Sequence, residues 1–153
     1  MNTLMITVSK NPKNLNPLTI EEFWDDPYLN GLCQYYEDDE VEEQEVLDEL
    51  RLYGFHLTEY KKTETEIIYK WEISAEEREA YLRNKYEEFL KQKDLSFEDY
   101  KDLYKPYHLC MKLNDKMGPY IYDRNSFCRT LDDFIREFSG TFYVTNRCLR
   151  MHK

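Results

Sequence analysis

The apolar positions of this chain form six short strand-like segments. The first is the clearest, because Leu4, Ile6 and Val8 share one side of an extended backbone. A spacing of two is typical of a β-strand, whose successive side chains point to opposite faces. On this basis strands are predicted over residues 3–8, 55–61, 66–73, 107–113, 120–123 and 141–145.

Other segments repeat their apolar positions at helical spacing. Val46 and Leu50 lie four residues apart, and Gly54 follows at a position that would end the helix. Capping boxes mark helix starts at Thr19 and Ser74. Three main helices are predicted over residues 38–53, 75–93 and 131–139, and shorter helical turns over 20–26, 27–36 and 96–104.

Together these elements predict an α+β fold. Strands that are adjacent in the chain favour antiparallel pairing, and the element order lacks the regular alternation of a parallel α/β sheet. We expect a single domain over residues 1–153, with a mostly antiparallel sheet of about five or six strands and three main helices. A content of 41% hydrophobic and 16% aromatic residues excludes disorder for most of the chain.

The chain is expected to be a soluble protein of the cytoplasm that binds no membrane. Its longest apolar runs are three or four residues, far below the roughly 20 that span a bilayer. No basic, signal-like stretch precedes the first predicted strand. The four cysteines include no C-x-x-C pair, so we expect free thiols rather than disulfides.

Charge is distributed unevenly along the chain. Residues 14–50, the acidic segment, contain thirteen Asp or Glu residues and no Lys or Arg. All 21 basic residues and the other 18 of the 31 acids lie outside it, so the net charge of −10 is local and the remainder sums to +3. Residues 146–153 form a basic tail. Such a field attracts basic proteins and repels nucleic acid, anionic membranes and anionic substrates.

The densest part of the acidic segment is a predicted helix. From Asp39 to Leu50 it spans about 18 Å and carries seven carboxylates, whereas duplex DNA carries roughly ten phosphates over that length. Glu45 and Glu49 form a like-charge pair that weakens the helix by about a few tenths of a kcal/mol, and the segment supplies no cation to compensate. Eleven residues are predicted to bind a partner, with two tyrosines as anchors: Tyr35, Tyr36, Glu37, Asp38, Asp39, Glu40, Glu42, Glu43, Glu45, Asp48 and Glu49.

Two other interpretations of the acidic residues stay open. A run of charges is often only a solvated surface, or part of a disordered acidic loop. The second helix, over residues 75–93, argues against a general excess of acid, because there Glu79 is expected to face Arg83 and Glu87 to face Lys91. The chain therefore builds a balanced helix in one place and an acidic one in another.

Enzyme chemistry has one candidate pair of residues. His56 with Thr58, and His108 with Cys110, are expected on strands with both side chains of each pair on one sheet face. Two such histidines could act as base and acid in phosphodiester cleavage. A thiol replaces the second hydroxyl, however, and the acidic field opposes an anionic substrate. The four glycines are isolated, which excludes a glycine-rich phosphate loop, so an enzyme is the less favoured interpretation.

A zinc site can also be drawn from the sequence. His108, Cys110, Cys148 and His152 are ligands of suitable type. Their spacing matches no standard finger, and His152 lies in a terminal tail that is expected to be mobile. Burial in the core explains the cysteines better. We therefore predict no metal and no cofactor.

Small size, local acidity, many tyrosines and the lack of catalytic motifs resemble one functional class. This class comprises small inhibitors of phages and mobile elements, including nucleic-acid mimics and anti-CRISPR-type proteins. The resemblance implies an inhibitor that binds a basic nuclease or other nucleic-acid-binding protein and excludes its nucleic acid, without binding nucleic acid itself. The alternatives are an immunity protein or antitoxin against a nuclease toxin, and a phosphodiesterase that uses His56 and His108.

Overall fold

The computed structural model describes residues 2–30, 35–37, 43–90, 96–101, 119–124 and 127–152. The strands within these ranges are β1 (Asn2–Ser9), β2 (Tyr35–Glu37), β3 (Thr58–Lys62), β4 (Ile67–Ile73), β5 (Tyr120–Asp123), β6 (Phe127–Thr130), β7 (Gly140–Thr145) and β8 (Leu149–His152). The helices are α1 (Ile20–Asp25), α2 (Pro27–Asn30), α3 (Glu43–Leu52), α4 (Ala75–Leu90), α5 (Phe97–Lys101) and α6 (Leu131–Glu137). In this described part of the chain, no helix is both long enough and apolar enough to cross a membrane.

The strands form a mostly antiparallel sheet. Its main path runs β2-β8-β1-β7-β4-β3, and β5 joins β1 and carries β6 beyond it. Among the pairs that the structure describes, β1 and β5 alone run parallel, with Ile6 opposite Ile121. The predicted α+β fold with three main helices, α3, α4 and α6, is confirmed. The sheet is extended by three short strands that the sequence pattern did not predict, β2, β6 and β8.

Strand β1 is central because both of its faces are buried. Leu4, Ile6 and Val8 enter one core, as their alternation predicts, while Met5 enters a second core on the opposite face. Thr7 is also buried on that second face, where its hydroxyl accepts a hydrogen bond from the Leu18 backbone N–H at 3.2 Å. A strand that is apolar on one face and nearly so on the other is typical of a sheet covered on both sides.

The larger core, here the Trp71 core, lies between the sheet and the three main helices. Trp71, Phe55, Phe134 and Phe142 are fully buried in it. Their rings pack at centroid distances of 4.9–5.6 Å, from Phe55 against Trp71 to Phe134 against Phe142. Aromatic contacts of this kind add to the burial of apolar area.

The smaller core, here the Phe23 core, covers the opposite face with α1 and α2. Phe23 and Leu29 from these helices pack with Met5 and with two tyrosines of β5, Tyr120 and Tyr122. The capping box at Thr19 is formed, since its hydroxyl accepts from the Glu22 N–H at 3.2 Å. The acidic segment therefore begins as a folded part of the protein.

Strands β7 and β8 pair with β1 one after the other. Val144 lies opposite Val8 and Leu149 opposite Met5, so two residues of β1 face four residues of the other strand. An excess of this kind is a bulge-type irregularity that shifts the register of a sheet. Asn146 lies in this junction, where its side-chain Oδ1 accepts the Ile67 N–H at 2.8 Å and its own N–H donates to the Ile67 carbonyl at 3.0 Å.

Most predicted elements form near their expected positions. The predicted strands over 3–8, 66–73, 120–123 and 141–145 agree with β1, β4, β5 and β7 to within one residue at each end. The second capping box forms as well, with the Ser74 hydroxyl accepting from the Glu77 N–H at 3.1 Å. The strand predicted over residues 107–113 lies outside the described residues.

The expectations that were wrong concern element ends and the terminal tail. Residues 35 and 36 were expected in a helix but belong to β2, and residues 55–57 precede β3 instead of opening it. The helix predicted over residues 131–139 ends at Glu137, and Gly140 opens β7 with a φ of +103°. The basic tail, expected to be mobile, forms β8. For β2, β7 and β8, pairing with a strand distant in the chain outweighs the local sequence preference.

Candidate functional site

Helix α3 presents its carboxylates on a rigid support. Val46, Leu47 and Leu50 are 0–8% exposed and enter the Trp71 core, so the orientation of the whole helix is set by packing. The helix is closed at Gly54, which has a φ of +90°. Beside it the Phe55 N–H donates to the Leu50 carbonyl at 3.1 Å. A glycine in this conformation is a common end of a helix, as the sequence predicted.

An open cleft of about 290 Å³ lies between α3 and the first residues of β1. Three carboxylates and one guanidinium face it, together with one threonine and two leucines. The lining residues are Thr3, Leu4, Glu45, Asp48, Glu49, Leu52 and Arg150. The cleft therefore combines negative charge with an apolar rim.

Arg150 neutralises one of the three carboxylates. Its Nη2 atom donates to both oxygens of Glu45, at 2.8 and 2.6 Å, and the two side chains are only 20% and 30% exposed. Charge-assisted hydrogen bonds of this length are among the stronger polar contacts in proteins. The sequence-based expectation that the charge of this helix is uncompensated is therefore wrong for Glu45, because its partner lies on a distant strand.

The other two carboxylates of the cleft differ in exposure. The Asp48 side chain is 63% exposed and has a loose ion pair with Arg51 on the next helical turn, at 3.9 Å. Glu49 is partly buried at the cleft wall. Leu52 is 79% exposed at the end of the helix, although it is a large apolar residue. This combination of an exposed acid and an exposed apolar side chain is suited to contact with another protein.

A second acidic site lies on α1. Glu22 binds the guanidinium of Arg124 through two hydrogen bonds, at 2.6 and 2.9 Å. The hydrogen bond from Arg124 is the main cause that lowers the pKa of Glu22 from 4.5 to about 2. Glu21 and Asp25 are exposed on the same short helix, and Trp24 between them is 47% exposed. Trp24 packs edge-on against the buried ring of Phe23 at 5.5 Å.

The structure describes seven of the eleven residues that the sequence selected. Tyr35, Tyr36 and Glu37 form β2, whose partner is β8 in the register Glu37 opposite Arg150. Arg150 therefore stands at the junction of the two described parts of the predicted surface, because it pairs with β2 through the backbone and with α3 through Glu45. Glu43 is the first residue of α3. Four residues lie outside the described ranges: Asp38, Asp39, Glu40 and Glu42.

Arg150, Arg124 and Leu52 are not among the site residues predicted from the sequence. A signal for Arg150 was present, because residues 149–152 alternate in the manner of a strand inside the basic tail. No local signal could assign its partner, since Arg150 and Glu45 are 105 positions apart in the chain. The balanced pair expected on α4 also differs, because Glu79 bonds Lys101 at 3.4 Å while the Arg83 guanidinium lies over the Phe97 ring.

The histidine and cysteine candidates are not brought together within the described residues. His56 is exposed and precedes β3, while His108 and Cys110 lie outside the described ranges. Burial raises the pKa of the Cys148 thiol to about 12, which opposes the thiolate form that binds zinc. In the ranges that the structure covers, no group of three or more His, Cys, Asp or Glu residues is arranged to hold a metal ion.

Comparison with known proteins supplies no relative for this chain. No protein-family model matches it, and no curated protein and no solved structure matches it either. By its geometry, the candidate site is an acidic cleft on α3 with a second acidic and aromatic patch on α1.

Proposed function

We propose that this protein is an acidic inhibitor that acts in the cytoplasm by binding a basic partner. The partner would be a nuclease or another nucleic-acid-binding protein, as for an anti-defence protein of a phage or mobile element. The observation that carries the proposal is the α3 cleft, where Asp48 and Glu49 are held on a helix whose other face is buried. Preorganised carboxylates lose little conformational entropy when they bind a cation.

The chemistry of the cleft suits a lysine or arginine side chain of the partner. The carboxylates of Asp48 and Glu49 would meet the cationic group, and the aliphatic stem would lie along Leu52. Arg150 binds Glu45, so the cleft offers a partner fewer carboxylates than the sequence alone suggested. The proposed contact therefore combines an ionic interaction with an apolar one. Added salt should lower its affinity without abolishing binding.

The patch on α1 supports the same proposal. Trp24 exposes about half of its surface between Glu21 and Asp25. Tryptophan is enriched among the residues that dominate binding energy at protein interfaces. An aromatic anchor beside acids is a suitable contact for a basic surface.

The test uses the full chain as bait in cell lysate at low and high salt. The Asp48→Lys, Glu49→Lys double variant is compared with the wild type. Glu87→Lys, Glu88→Lys is the matched control, because it changes the charge equally at two adjacent exposed positions of α4. We expect wild type and control to retain a basic nucleic-acid-binding protein that the α3 variant loses, and added nucleic acid to compete for it.

The captured protein then serves in an activity assay. We expect its nucleic-acid binding or cleavage to fall with wild-type protein and with the control, but not with the α3 variant. If the captured partner is a toxin nuclease, the immunity or antitoxin form of the proposal holds. Equal binding by the α3 variant and the control, or affinity that does not change with salt, would contradict the proposal.

A further inference from the structure

The α3 cleft and the patch on α1 lie on opposite faces of the sheet. Helix α3 packs through Leu50 into the Trp71 core, whereas α1 packs through its own Phe23 into the smaller core. Strand β1 separates the two cores, because its Leu4 enters the first and its Met5 enters the second. The two acidic surfaces therefore face away from each other.

The two surfaces also lie toward opposite ends of β1. The cleft is lined by Thr3, near the start of this strand. Glu22 of α1 is bound by Arg124, which follows β5. In the parallel pair of β1 and β5, Thr7 lies opposite Tyr122, two residues before Arg124. At about 3.3 Å per residue, this register places Arg124 roughly 20 Å further along β1 than Thr3.

This separation makes the two surfaces electrostatically independent. A helix with its side chains is about 10 Å across, so the outer sides of two helices on opposite sheet faces are at least roughly 20 Å apart. Together with the offset along β1, the distance is on the order of 30 Å. The screening length at physiological salt is about 8 Å. A cation bound at one surface therefore does not repel a cation bound at the other.

The patch on α1 has a chemistry of its own for binding cations. Glu21 and Asp25 lie one helical turn apart, with Trp24 beside them, and all three are exposed. The neighbouring Phe23 is fully buried and fixes the helix to the core. A cation is attracted both to the face of a tryptophan ring and to a carboxylate. The patch therefore fits a surface rich in lysine or arginine, as the α3 cleft does.

We propose that this protein is bivalent and holds two basic protein molecules at once, one at the α3 cleft and one at the α1 patch. The inference rests on the proposed function, because it takes the same basic partner at both surfaces. A standard interface covers about 800 Å² of each protein, and this chain has 8970 Å² of accessible surface. Two such contacts fit on opposite faces without overlap, whereas one rigid partner on one face does not reach the other.

The two surfaces differ in the affinity that we expect. The α3 site is a cleft between a helix and a strand, whereas the α1 patch lies on the open side of a six-residue helix. A concave site surrounds more of a bound group than an open surface does. The cleft should therefore fill first, and the patch only at a higher partner concentration. In a washed pulldown the weaker contact is lost, so that capture there depends on the cleft.

The mass of the complex in solution tests the proposal. The basic protein captured by the wild type is purified and titrated against the full chain over about 1–100 µM, with sedimentation velocity as the measurement. The partner alone is measured over the same range, which accounts for its own association. We expect one partner per chain at first, and two at the upper concentrations.

Variants of each surface assign the two binding steps. Glu21→Lys, Asp25→Lys should leave the first step unchanged and weaken the second by about tenfold or more, since it reverses both charges of the patch. Trp24→Ala should weaken the same step without a change of charge. Asp48→Lys, Glu49→Lys should remove the first step and retain one weakly bound partner at the α1 patch.

The control is matched in charge to both double variants. Glu87→Lys, Glu88→Lys on α4 should bind two partners as the wild type does, and circular dichroism confirms that each variant is folded. A wild type that saturates at one partner per chain, or an α1 double variant that still binds two with unchanged affinity, would overturn bivalency and leave the proposed function standing. A wild type that captures no basic protein would overturn both.

Discussion

Two arginines from the C-terminal third each bind one carboxylate of the acidic segment. Arg124 binds Glu22 and Arg150 binds Glu45, across 102 and 105 positions of the chain. Each pair joins an acidic helix to a strand or to the end of a strand. It holds the helix in place and neutralises one of its carboxylates. Asp48, by contrast, is 63% exposed and has only a loose ion pair with Arg51 at 3.9 Å, so its carboxylate is accessible to solvent or a partner.

The Glu22–Arg124 pair predicts a specific loss of stability in acid. The pKa of Glu22 is about 2 in the folded protein, against an ordinary value of 4.5, so the unfolded chain binds a proton more readily. The stabilisation is complete above pH 4.5 and is lost as the pH falls toward 2. Because the Glu22 side chain is 39% exposed, we expect a loss on the order of 1 kcal/mol after solvent screening.

The measurement is the free energy of unfolding in urea between pH 5 and pH 2. Arg124→Gln should show a smaller loss over this interval than the wild type, because it removes the main cause of the lowered pKa. Glu22→Gln should likewise flatten the profile. Identical pH profiles for wild type and both variants would show that this pair does not set the acid response.

At the scale of elements, the junction between β7 and β8 links the two halves of the sheet. Asn146 is 7% exposed in this junction. Its side-chain Oδ1 accepts the N–H of Ile67 and its own N–H donates to the Ile67 carbonyl, so it satisfies the two backbone groups that a neighbouring strand would otherwise bind. The Thr145 hydroxyl adds a hydrogen bond to Glu66 at 2.6 Å. On either side of this junction, β7 pairs with β4 and β1, and β8 pairs with β1 and β2.

Substitution of Asn146 should weaken the protein measurably. Asn146→Ala leaves the buried N–H of Ile67 without its acceptor, and such a group costs about 1–3 kcal/mol. We expect the midpoint of urea unfolding to fall with an unchanged slope. Asn84→Ala is the control, because Asn84 is exposed on α4 and alanine favours a helix. An Asn146→Ala midpoint as high as that of the control would refute the proposed role.

At the scale of the whole molecule, the Trp71 and Phe23 cores share β1. A single strand that is buried on both faces couples them, so we expect the domain to unfold in one cooperative step. The two tryptophans report on different sides of the sheet, because Trp71 lies in the larger core and Trp24 packs on Phe23 of the smaller one.

Variants that retain one tryptophan test this expectation. Trp24→Phe leaves the signal of Trp71, and Trp71→Phe leaves the signal of Trp24. In each variant the urea midpoint from fluorescence should coincide with the midpoint from far-ultraviolet circular dichroism. A fluorescence midpoint that precedes the dichroism midpoint in either variant would indicate two separately folding units.

The sequence by itself determined the α+β class, the three main helices and most strands, because these depend on local periodicity and capping. Val46, Leu50 and Gly54 illustrate this, since spacing and backbone preference alone assign them to the buried face and the end of α3. Local charge also marked the acidic segment. These features need no knowledge of which distant residues meet.

Only the tertiary structure decided how much of that charge is exposed and in what order the described strands pair. β8 forms because it pairs with β1 on one side and with β2 on the other, and Arg150 reaches Glu45 only through that pairing. The place of β3 at the end of the described strand path likewise follows from the order of strands in the sheet. Such contacts join residues far apart in the chain, so no local pattern encodes them, and they depend on the whole fold.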